Sequence, residues 1–120
     1  MKQSMVLLAL LAALGLASAA HAKVAIGTMA GTVLDAKGKP VGGATVTMQS
    51  SDGQHPYATH TDANGHFEFR RYEIGQYDLR AYASGMFSEW VKRVYIRRDK
   101  TTEVTLRMPP AADDSVTVTK

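Results

Sequence analysis

The stretch Thr61-Asp62-Ala63-Asn64-Gly65-His66-Phe67-Glu68-Phe69 decides the fold. It reads as a strand end, a tight turn and a strand start. Asp62 and Asn64 can hydrogen-bond their own backbone, and Gly65 or Asn64 can take the positive φ that a tight turn needs. Beyond the turn, Phe67 and Phe69 point to one face while His66, Glu68 and Arg70 point to the other. A period of two is the mark of a half-buried strand. Two buried phenylalanines contribute roughly 1.5–3 kcal/mol each, so this strand belongs at the centre of a core.

Working outward, the same alternation recurs. Thr28–Leu34 reads as a first strand, with Gly31 marking a bulge or a close backbone approach. Asp35-Ala36-Lys37-Gly38-Lys39-Pro40 is a turn. In Ala44–Gln49, Ala44, Val46 and Met48 alternate with Thr45, Thr47 and Gln49. Ser50–Pro56 is a polar loop and Tyr57–Thr61 a short strand, followed by His66–Arg71 and Gln76–Ala83. Gln76–Ala83 places Tyr77, Leu79, Ala81 and Ala83 inward and Asp78, Arg80 and Tyr82 outward. Ser84–Glu89 is read as a loop in which Phe87 caps one end of the core. Trp90–Ile96 and Thr101–Met108 are the last two strands, with Val94, Ile96, Val104, Leu106 and Met108 inward. Ala111–Lys120 is a polar tail in which Val116–Thr119 either adds an edge strand or stays disordered. Seven short strands with turn signals between them predict an all-β, antiparallel sandwich.

The first residues are set aside from the fold. Lys2 precedes an apolar run of thirteen residues, Met5–Ala17, and Ala20-His21-Ala22 fits a small-x-small cleavage site. This predicts a signal helix over residues 1–22, removed on export. A membrane span needs about 20 apolar residues, more than are present, and a buried core helix finds no helical partner downstream. From Lys23 on, 98 residues remain, enough for one domain with a thin core. They carry 13 lysines and arginines against 11 acids, a mixed balance that makes no electrostatic case for nucleic acid. There is no cysteine, which excludes thiolate metal sites and cysteine nucleophiles. A small exported domain without a disulfide fits a bacterial periplasm better than a eukaryotic secretory route. Stable membrane insertion is not expected once the signal is cleaved.

Three motifs carry a family resemblance. Gly31-Thr32-Val33-Leu34-Asp35, Gly38-Lys39-Pro40-Val41 and Gly43-Ala44-Thr45-Val46 together resemble the opening signature of carboxypeptidase regulatory-like domains. Thr61-Asp62-Ala63-Asn64-Gly65-His66-Phe67 resembles their second signature and Gly75-Gln76-Tyr77-Asp78-Leu79 their third. The resemblance covers about residues 29–108, with 23–28 as a leader and 109–120 as the polar tail. It implies a seven-stranded, Greek-key, transthyretin-like β-sandwich, export, and a non-catalytic accessory or binding role. The transthyretin-like fold also hosts the 5-hydroxyisourate hydrolase. That family's pattern has a His before its Val-Leu-Asp and a C-terminal Tyr-Arg-Gly-Ser. Here Thr32 precedes Val33-Leu34-Asp35 and the sequence ends Val116-Thr117-Val118-Thr119-Lys120, which argues against that activity.

Candidate chemistry is sparse. His55, His60 and His66 lie within twelve positions, with His60 and His66 expected on paired strands. Their spacing fits no metal motif, and exposed polar positions are the simpler reading. Asp62-Ala63-Asn64-Gly65 lacks the later carboxylate of a calcium loop. Ser50, Ser51, Ser84 and Ser88 sit in no nucleophile elbow, and Glu68, Glu73 and Glu89 form no evident acid–base pair. No cofactor, metal or catalytic residue is expected. The outward arginines and tyrosines are the best candidates for a ligand surface, chiefly Arg70, Arg80, Tyr82, Arg93 and Tyr95. Arginine beside tyrosine suits carbohydrate, carboxylate or protein. The competing reading is a solvated sheet face whose charges block edge-to-edge aggregation. Trp90 and Phe87 beside Tyr57 offer a sugar-stacking surface or, more simply, a core cap. The expected partner is a protein or a carbohydrate; a small subunit docking on a larger complex is the alternative.

Overall fold

The computed structural model describes residues 24–111, so the expected signal segment and residues 112–120 of the tail lie outside the described residues. The strands are β1 (Ile26–Leu34), β2 (Thr45–Ser50), β3 (Tyr57–His60), β4 (His66–Glu73), β5 (Gly75–Ala83), β6 (Met86–Phe87), β7 (Val91–Ile96) and β8 (Thr101–Arg107). Among the described residues there is no helix, and so none long and apolar enough to cross a membrane. Two sheets face each other, one ordered β4-β1-β8 and the other β3-β2-β5-β6, with β7 also on β5.

Two expectations are corrected here. There are eight strands rather than seven, because Met86–Phe87 pairs with Ala83 and Tyr82. Ser84 (φ 53°) and Gly85 (φ 77°) close that hairpin as a two-residue loop with both residues left-handed. That is the turn whose twist matches two antiparallel strands. The sandwich is also not wholly antiparallel, since β8 runs parallel to β1, Thr28 opposite Thr101 through Leu34 opposite Arg107. The Arg97–Lys100 connection carries the chain across from one sheet to the other instead of folding it back beside β7. β8 therefore arrives in the direction of β1.

The opening motif is a corner between sheets. β3 pairs with β2 and β4 pairs with β1, so the expected pairing of the strands bearing His60 and His66 does not occur. Asp62 Oδ1 accepts the N–H groups of Asn64 and His66, at 2.9 and 3.0 Å, and Gly65 takes the positive φ, 79°. Asp35–Lys39 builds the same five-residue turn: Asp35 Oδ1 accepts the Lys37 and Lys39 N–H groups, both at 2.9 Å. The two turns meet, because the Val33 N–H donates to the Gly65 carbonyl at 2.8 Å. Buried Thr61 ties in the third segment. Its hydroxyl donates to the Val41 carbonyl at 2.6 Å and accepts the Ala44 N–H at 2.9 Å.

These turns predict an acid limit to stability. The Lys39 N–H above all, and the Lys37 N–H behind it, hold the Asp35 carboxyl below its ordinary value; His66 and Asn64 do the same for Asp62. A pKa lower in the folded chain contributes stability above the unfolded value of about 3.9 and loses it as pH falls toward the folded one. Melting temperature should therefore fall below about pH 4, and an Asp35→Asn/Asp62→Asn variant should show a flatter acid limb in the same melts. Parallel limbs in the two proteins would remove these carboxylates from the account.

Between the sheets lie Met29 and Val33 of β1, Val46 and Met48 of β2, Phe67 and Phe69 of β4, Leu79 and Ala81 of β5, Ile96 and Leu106. Gly31 in the middle of β1 marks a close approach. A Cβ there would stand 2.1 Å from the Val104 carbonyl oxygen and 2.7 Å from the Phe67 ring. The bulge in β1–β4 falls instead where Thr28 faces both Arg70 and Arg71, and Arg71 takes φ 64°. The extra residue shifts the alternation by one, so Tyr72 points inward and continues a run of rings from Phe67 through Phe69 to Tyr57.

Candidate functional site

The outer face of the five-stranded sheet holds four of the five expected surface residues: Arg80, Tyr82, Arg93 and Tyr95. Arg70 is on β4, in the other sheet, where its guanidinium pairs with Glu68 at 3.2 Å. Register builds the face in rows. Thr45 lies opposite both His60 and Tyr82, and Tyr82 opposite Phe87. The next row is Ala58, Thr47 and Arg80, and the next sets Gln49 beside Asp78.

Two aromatic residues and an arginine gather where β5 meets the edge strand β6. Tyr82 is 41% exposed and Phe87 53%, with ring centroids 4.7 Å apart. Phe87 therefore does not cap the core. Period two in the short β6 turns Met86 inward and Phe87 out. The Arg80 guanidinium carbon lies 3.9 Å from the Phe87 ring centroid and 4.5 Å from that of Trp90. Cation and ring attract through the ring quadrupole, which also fixes the otherwise flexible arginine in place. Trp90 reaches this position because β6 and β7 share one edge of β5 with a break between them. At the break the Ser88 hydroxyl, buried, accepts the Ala81 N–H at 2.9 Å in place of a backbone carbonyl. Tyr57 is not part of the group; it packs on Tyr72 at 4.6 Å, where β3 overlies β4.

Asp78 is the residue whose role the alternation conceals. It sits on an outward position of β5 yet is only 9% exposed. One carboxyl oxygen accepts the Ser51 hydroxyl at 2.8 Å and the Arg93 N–H at 3.0 Å. Opposite it β7 bulges, and Arg93 takes φ 59°. Asp78 thus pins the bulge that presents Arg93. Tyr95 follows, with its hydroxyl bonded by the Gln76 amide and Arg97 over its ring at 5.6 Å.

The histidines gather differently. His60 and His66 line one shallow groove of about 570 Å³ with Thr32, Asp62, Glu68 and Glu103, while His55 lies in a separate hollow beside Tyr57 and Tyr72. Among the described residues no three His, Cys, Asp or Glu side chains converge as metal ligands. The loop serines are engaged in structure: Ser50 donates to Asp52 at 2.6 Å, Ser51 to Asp78, and Ser88 to the Glu89 carbonyl at 3.0 Å.

Two sheets, the paired aspartate turns and the buried Thr61 define a transthyretin-like β-sandwich. The chain belongs to the carboxypeptidase regulatory-like domain family, which its sequence matches over residues 28–109. No curated protein matches it. Among solved structures it is similar to a minor pilin of Streptococcus agalactiae, with TM-score 0.67 and 19% identity over 81% of this chain and 49% of that one. It is also similar to catechol 1,2-dioxygenase from Acinetobacter sp. ADP1, with TM-score 0.57 and 14% identity over 83% and 58% of the two chains. A third is a Bacteroides uniformis protein thought to bind carbohydrate, with TM-score 0.53 and 16% identity over 70% and 41%. The chain spans less than two thirds of each of these, and at such identities the likeness is one of fold.

Proposed function

We propose that this protein is an exported, non-catalytic binding module that presents the outer face of its five-stranded sheet to a carbohydrate. The observation that carries the reading is the pair of exposed rings, Tyr82 and Phe87, beside the ring-held Arg80. Rings set on a rigid sheet offer an apolar stacking surface, and Thr45, Thr47 and Gln49 alongside offer hydrogen-bonding groups of the kind a sugar needs. Export is supported by the apolar run Met5–Ala17 ahead of Ala20-His21-Ala22.

Docking on a protein is the second reading. Its support is that arginine, tyrosine and tryptophan, all present here, are the residues that dominate protein–protein contacts. The test serves both. A Tyr82→Ala/Phe87→Ala variant should melt within a few degrees of the parent, because exposed side chains contribute little to folding. It should lose at least about tenfold in glycan-array binding, one anchor residue being worth more than about 1.4 kcal/mol. Unchanged binding on the array and unchanged partner recovery from periplasmic extract would remove this face from consideration.

A further inference from the structure

We infer that the ligand is an acidic glycan, with a uronate carboxylate seated on Arg80 and its sugar ring against Tyr82 and Phe87. This rests on the binding-module reading above. The Arg80 side chain is half-buried, held by two rings, and makes no ion pair among the described residues; the ion pair found there is Arg70–Glu68, on the opposite sheet. A guanidinium fixed by stacking keeps its edge for a planar, bidentate anion such as a carboxylate. Lys92 and Arg93 add exposed positive charge on β7, with Glu89 as the exposed acid on the β6–β7 connection. Asp78 in the adjacent row offsets part of this charge, leaving Arg80, Lys92 and Arg93 against Asp78 and Glu89. Its bonded oxygen is taken by the Ser51 hydroxyl and the Arg93 N–H, and it forms no ion pair with Arg80 among the described residues.

The polar floor favours a sugar over a peptide. Thr45, Thr47 and Gln49 are half-buried on the outward side of β2 and form no side-chain hydrogen bond among the described residues. Hydroxyl and amide groups in a row match a ligand rich in hydroxyls. A peptide that binds a sheet usually adds as a strand at a free edge. Here the polar row lies on β2, which is paired on both sides by β3 and β5, so it is met across the sheet face and not along the free edge that β6 and β7 form.

Calorimetric titration tests this with a panel of oligouronates, namely galacturonate, mannuronate and guluronate oligomers. Methyl-esterified galacturonate oligomers serve as the uncharged counterpart and polyglutamate as the acidic peptide. At least one oligouronate should bind, its methyl ester or neutral analogue at least tenfold more weakly, and binding should weaken with salt. Arg80→Gln should lower that affinity at least tenfold and Arg80→Lys, which keeps the charge without the fork, by less. Arg70→Gln on the other sheet should leave it unchanged, and melts of each variant separate lost binding from lost folding. Equal binding of acid and ester, with both lost in Tyr82→Ala/Phe87→Ala, would overturn the acidic ligand and leave the binding module standing. Polyglutamate binding as tightly as the oligouronates, or no oligouronate binding at all, would also overturn it.

Discussion

Replacing Phe67 with alanine is expected to cost about 3–5 kcal/mol of stability. Phe67 is 4% exposed and its ring lies edge-on to Phe69 at 6.0 Å. Its other side fills the space that Gly31 leaves open in β1. Removing the ring empties a site walled by backbone on one side and by other rings on the other, neither of which can collapse far. The cost includes lost transfer free energy and the cavity left behind. For a domain of this size the loss lowers the melting temperature by roughly 15–30 °C. Thermal melts of the purified variant measure it; a drop of under about 5 °C would show that Phe67 is not a central core residue.

The second large effect comes from adding atoms. Gly31→Val puts a strand-favouring residue into a strand, and propensity alone predicts a gain. The structure predicts a loss of about 3 kcal/mol or more, at the top of the overpacking range. The added Cβ would lie 2.1 Å from the Val104 carbonyl oxygen, which is backbone and cannot swing aside. β8 must then leave its parallel register with β1, or Phe67 must leave its place. Ala30→Val, one residue away on the outward side of β1, is the control and should change stability by less than about 1 kcal/mol. Equal melts for the two variants would contradict the close approach.

Much of this architecture is legible in the residues because burial alternates cleanly along β1, most of β2 and the first half of β4. Asp35, Asp62 and their following glycines announce their turns for the same reason: an aspartate that accepts two backbone N–H groups needs no distant partner. What escaped the reading depends on contacts between elements. Nothing local says that β3 and β4 part at the Thr61–Gly65 turn to join different sheets, since a hairpin and a corner begin with the same residues. The parallel β8 is hidden similarly. The two bulges carry arginine, at Arg71 and Arg93, where glycine would have signalled a left-handed residue. The hairpin ending in Phe87 did have a local signal, the dipeptide Ser84-Gly85, with Ala83 and Met86 either side of it. Reading it as a turn puts Phe87 outward and brings it beside Tyr82. Trp90 had no such signal, for its position follows from Ser88 reaching back to Ala81.

The parallel pairing of β1 with β8 has a consequence for how the chain reaches this state. β1 is the central strand of its sheet, yet one neighbour begins at His66 and the other at Thr101. The earliest strand in the chain is thus among the last to be satisfied, and long loops must close before either pairing rewards it. Folding on the millisecond-to-second scale follows from so non-local a topology. Until Arg107 has been synthesised, β1 keeps one edge unpaired and its sheet stays incomplete.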